Sequence, residues 1–66
     1  MDTTGITIKK LSRDDGTEFP CTVLEAIESL EGFYKRASLH EFIEGMGKGC
    51  KVELATISFV YRFERA

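Results

Sequence analysis

The stretch Cys50-Lys-Val-Glu-Leu-Ala-Thr-Ile-Ser-Phe-Val-Tyr-Arg-Phe63 is rich in β-branched and aromatic residues and contains neither Gly nor Pro. That is the composition of a β-strand. As one strand, rising roughly 3.3 Å per residue, it spans about 46 Å. A chain of 66 residues folds to a diameter of only roughly 28 Å. The stretch must therefore bend, carry a bulge or pair with something outside the monomer. Its alternation also changes phase. Val52 and Leu54 share one face against Lys51 and Glu53, whereas Ala55, Ile57, Phe59, Tyr61 and Phe63 share the opposite face against Thr56, Ser58 and Arg62. A one-residue slip exchanges the two faces of a strand. A β-bulge near Ala55–Thr56 keeps one face buried throughout, and a regular strand with its second face covered by a partner is the alternative.

The rest of the chain reads as a cover for this strand. Ile6 and Ile8 alternate with Thr7 and Lys9 as a first strand. Asp15-Gly16 is a favoured pair for a two-residue hairpin turn. In that register Arg13 faces Glu18 and Ser12 faces Phe19, and Phe19 shares a face with Ile6 and Ile8. Pro20 ends the second strand because it has no N–H to give a ladder. Thr22 with Glu25 forms a capping box, and Val23, Ile27, Leu30 and Tyr34 follow at helical spacing. Gly32 either weakens this helix internally or marks an earlier end. Ser38 with Glu41 reads as a second capping box, ahead of Leu39, Phe42, Ile43 and Met46. Gly45, Gly47 and Gly49 release the chain into the last strand. The reading is α+β: one domain over residues 1–66, in the order β-β-α-α-β, with two helices on one face of a small antiparallel sheet and a long C-terminal strand.

A chain this short is marginal alone and needs tight packing, a staple or a partner. Its net charge of −2 opposes the basic field that a strong, sequence-independent grip on nucleic acid requires. No apolar run reaches the roughly 18 residues of a membrane span, and the opening Met-Asp-Thr-Thr-Gly lacks the features of a signal peptide. A cytoplasmic location with free Cys21 and Cys50 is expected, with a Cys21–Cys50 bridge as the alternative in an oxidising setting.

No catalytic or cofactor motif emerges. The single histidine, His40, has no sequence-linked nucleophile. Cys21, Cys50 and His40 lack the close paired spacing of a zinc site. The Gly45–Gly49 run follows a helix and precedes a strand, the reverse of a phosphate-binding loop. Glu25, Glu28, Glu31, Glu41 and Glu44 read as a solvated acidic helical side. Lys9, Lys10, Arg13, Lys51, Arg62 and Arg65 lie on or near strands and predict a more basic sheet side. The leading expectation is a non-enzymatic interaction module with no cofactor, metal, membrane or small-molecule substrate. It acts as a homodimer or on another protein, with the C-terminal strand as an exposed pairing edge and Ile57, Phe59, Tyr61, Arg62, Phe63 and Arg65 as partner-binding residues. Its size adds the expectation of an accessory regulator or inhibitor of the kind phages and mobile elements encode. The alternative is a single-stranded nucleic-acid binder that stacks bases on the aromatic rings of the same strand.

Overall fold

The computed structural model describes residues 2–66. In chain order it contains β1 (Ile6–Ser12), β2 (Glu18–Phe19), α1 (Val23–Leu30), α2 (Arg36–Glu44), β3 (Lys51–Ala55) and β4 (Phe59–Arg65). The strands form one antiparallel sheet in the order β2-β1-β4-β3. The α+β class, the order of strands and helices and the long last strand are as the sequence implies. The Cys50–Phe63 stretch, however, is a hairpin rather than one bulged strand. Its change of phase falls where the chain reverses, between Ala55 and Phe59. Two strands of 5 and 7 residues fit inside a molecule measuring 29 × 24 × 15 Å, so nothing protrudes.

Each sheet face follows from the pairing. Ile8, Phe63 and Val52 lie side by side across β1, β4 and β3, and Lys10, Tyr61 and Leu54 form the next row. These rows face the helices. Tyr61 and Phe63 are each 1% exposed and share one core with Ile6, Ala26, Ile27, Leu30, Leu39, Ile43 and Met46. On the other face Thr7, Glu64 and Lys51 form one row and Lys9, Arg62 and Glu53 another.

The first helix begins as its capping box dictates. The Thr22 hydroxyl accepts from the Glu25 N–H at 3.1 Å, and the Glu25 carboxylate accepts from the Thr22 N–H at 3.0 Å. Those bonds hold the Glu25 carboxyl below its usual pKa range. The helix stops at Leu30, before Gly32, so Tyr34 lies beyond its end. The second capping box does not form. α2 starts at Arg36 with Lys35 as its N-cap, and no side chain caps it; Ser38 is already inside the first turn. Thr22→Ala should therefore lower stability by about 1 kcal/mol, while Ser38→Ala should stay within about 0.5 kcal/mol. Urea titration of the two variants checks the contrast. The turn between the helices is tied by Glu31, which accepts from His40 Nε2 at 2.8 Å and pairs with Arg36 at 3.2 Å.

The β1–β2 turn is longer than the Asp-Gly signal implies. Lys10 faces Phe19 and Leu11 faces Glu18, a register shifted by two residues that leaves Phe19 on its expected face. Ser12 closes the loop by donating its N–H to the Thr17 carbonyl and accepting from the Gly16 N–H. Gly16 takes the positive φ, +75°, that the turn needs. Arg13 is thereby freed from Glu18. The first few residues of a chain fray unless they are tied down, and of Met1–Thr4 the first lies outside the described residues. Within them, the Thr4 carbonyl accepts from Arg65 Nη1 at 2.9 Å and the Gly5 carbonyl accepts from the Ala66 N–H.

Candidate interaction surface

The six candidate binding residues separate into three groups. Tyr61 and Phe63 are core residues. β4 is hydrogen-bonded to β1 on one side and β3 on the other, so it is an interior strand and not an exposed pairing edge. This is a correction with a simple cause: the hairpin gives the aromatic strand its own neighbour. Arg65 also has an internal task. Besides Thr4, it donates from Nη2 to the Ile43 carbonyl at 3.4 Å, near the end of α2 where a cation is favoured. Arg62 is exposed on the uncovered sheet face, bonded to Glu53 at 2.7 Å. Only Ile57 and Phe59 come together at a surface.

That surface is built on the β3–β4 turn. Ile57 and Ser58 form its tip, a position that usually takes Gly, Asn or Asp because a two-residue hairpin turn wants positive φ. Among the described residues no non-glycine has positive φ, and the turn is held by other means. The Thr56 N–H donates to the Phe59 carbonyl at 2.9 Å, and the Phe59 N–H donates to the Thr56 hydroxyl at 3.2 Å. The Thr56 carbonyl, turned out of the ladder, accepts from Arg13 Nη1 at 2.9 Å, while the Arg13 N–H donates to the Ser58 carbonyl at 3.0 Å. The guanidinium freed by the longer β1–β2 loop thus fastens the neighbouring turn. Arg13→Ala should lower stability by about 1–2 kcal/mol and broaden the amide resonances of Ile57 and Ser58. Thermal denaturation and a 15N–1H spectrum test both effects.

The clamped turn lifts Ile57 into solvent, where it is 79% exposed. It does not stand alone. Phe33, 53% exposed, lies across a shallow depression of about 490 Å³ that Phe59 and Ser29 also line. Phe59 is half-buried and meets Phe19 edge to face, with ring centroids 5.6 Å apart. Lys10 Nζ stands 4.2 Å from the centre of the Phe59 ring, a cation–π contact that leaves a positive charge beside an apolar end. The sequence pattern does not mark Phe19 or Phe33 as a surface residue. Phe33 is turned outward by the early stop of α1, and no residue pattern announces that stop beyond Gly32.

Of the remaining candidates, His40 and Glu31 meet in the pair that ties the two helices. Cys21 and Cys50 are free and packed against the core. Burial pushes the Cys21 thiol pKa up, which keeps it in its less reactive protonated form. Among the described residues no three metal-binding side chains cluster, and no helix is long and apolar enough to cross a membrane. The expected basic sheet side is in fact mixed: Glu53 and Glu64 stand beside Arg62 and Lys51, Lys10 faces the helices and Arg13 serves the turn. That face also carries no aromatic ring, since Phe59, Tyr61 and Phe63 all project to the helix side. It therefore lacks the stacking surface that single-stranded nucleic acid uses. No known protein family, curated protein or solved structure matches the chain.

Proposed function

We propose that the protein is a non-enzymatic protein–protein interaction module, an accessory regulator or inhibitor that inserts its apolar end into a groove of a partner protein. The observation that carries this reading is Ile57, a large aliphatic side chain held almost fully in water on a turn fastened to a neighbouring strand. An exposed aliphatic side chain beside a depression that further aromatic rings line suits a contact surface. A rigid mount lowers the ordering cost of binding. Ile57 is the anchor, Phe33 and Phe59 flank it, and the Lys10 ammonium suits an acidic rim on the partner. The free thiols Cys21 and Cys50 suit a reducing compartment.

The test is comparative capture from the native cells. Tagged wild type, Ile57→Asp and Leu24→Asp are each used as bait, Leu24 being 65% exposed on α1. The reading expects one companion retained by wild type and Leu24→Asp and lost by Ile57→Asp. That companion is then purified and titrated with the protein. Equal retention by all three baits would overturn the reading.

A further inference from the structure

We infer that the outer edge of β3 pairs with the same edge of a second copy, joining two sheets into one of eight strands around a twofold axis through Val52. The edge is open. The Cys50–Arg65 and Thr56–Phe59 pairs are hydrogen-bonded across the β3–β4 ladder. Alternation along an antiparallel pair then directs the N–H and C=O groups of Val52 and Leu54 to β4 and those of Lys51, Glu53 and Ala55 outward. Among the described residues these outward groups have no partner beyond the ladder.

The edge is also selective. Lys51 and Glu53 are exposed, and a charged edge discourages indiscriminate strand addition. It accepts one partner well. With Val52 opposite Val52 of the copy, Lys51 stands opposite Glu53 and Glu53 opposite Lys51, and both are hydrogen-bonded positions. The rows of the uncovered face then run continuously across the seam. Glu64 and Lys51 of one copy meet Glu53 and Arg62 of the other, so the signs alternate. A self-complementary patch of this kind is what a twofold interface requires, and opposite charges facing across a ladder stabilise it while like charges oppose it. On the helix side, Leu54 lines an apolar groove of about 380 Å³ with Tyr34, Leu39 and Phe42. The same operation brings this groove to the seam, where its half-exposed rings gain cover. Val52 lies five residues from Ile57, so the dimer carries its two apolar tips at opposite ends, roughly 34 Å apart along the strands. This pairing uses different residues from the proposed partner site, and its failure would leave that reading standing.

Sedimentation equilibrium over a wide concentration range, under reducing conditions, tests it. Wild type should dimerise. Lys51→Glu and Glu53→Lys each turn two attractive pairs into repulsive ones, and each should weaken self-association about 30-fold. Mixed together, the two variants set an edge with only acidic charges against an edge with only basic ones. Both cross-strand pairs are then attractive again, and the variants should associate as a heterodimer with near wild-type affinity. Circular dichroism confirms that each variant is folded. A wild type that stays monomeric, a dimer indifferent to either substitution, or two variants that fail to associate on mixing would overturn the inference.

Discussion

Phe63→Ala should lower the melting midpoint by about 15–30 °C. The side chain is 1% exposed and occupies the centre of the sheet, with Ile8 on one side and Val52 on the other. Truncating a buried phenylalanine removes about 3–5 kcal/mol. A chain of this length has roughly 3–10 kcal/mol in total, and each kilocalorie is worth about 4–8 °C in a small domain. Phe63→Leu, which keeps most of the volume, should lose only about 1 kcal/mol. Thermal denaturation followed by circular dichroism separates the two. A midpoint within about 5 °C of wild type for the alanine variant would mean that Phe63 is not a core residue, and that the assignment of Tyr61 and Phe63 to the interior fails with it.

Ile57→Asp should do the opposite. Its side chain is mostly in water, so the folded state loses little, within about 0.5 kcal/mol. Partner binding should fall at least about 30-fold, the minimum expected for an interfacial anchor, because a carboxylate in an apolar groove is desolvated without compensation. Phe59→Asp supplies the contrast. That ring touches Phe19 and the Lys10 ammonium as well as lining the depression, so this variant should lose stability and binding together. Calorimetric titration against the captured partner, alongside thermal denaturation, distinguishes an anchor from a structural side chain. Equal binding by Ile57→Asp and wild type would remove Ile57 from the interface.

How far the sequence discloses this arrangement depends on whether the controlling chemistry is local. Thr22 and Glu25 announce their helix start because both halves of the capping box lie within one turn. Ser38 and Glu41 show the same spacing without capping, because the preceding Lys35 already has the extended backbone of an N-cap and α2 begins earlier. The alternation of Val52–Leu54 and Tyr61–Phe63 identifies the buried face in both strands. The reversal between them is hidden, because Ile57-Ser58 is not a customary turn pair. Part of what fastens that turn is Arg13, 43 residues away from Thr56, and a contact of that range leaves no pattern in the chain. Once the reversal is in place, the aromatic strand becomes interior, the edge passes to Lys51–Ala55, and Ile57 moves from strand to tip. Phe59 and Ile57 are readable as candidates from their residue types. Phe33 is not, since its exposure depends on where α1 stops.

Site-specific photo-cross-linking in the native cells tests whether the clamped β3–β4 turn is the contact point. A photoreactive phenylalanine derivative replaces Ile57 in one version of the protein, Leu24 in a second and Arg62 in a third. One discrete cross-linked product is expected from position 57, absent from positions 24 and 62. No discrete product from position 57, together with a cross-link from position 62 on the uncovered sheet face to a different protein rather than to a second copy, would contradict it.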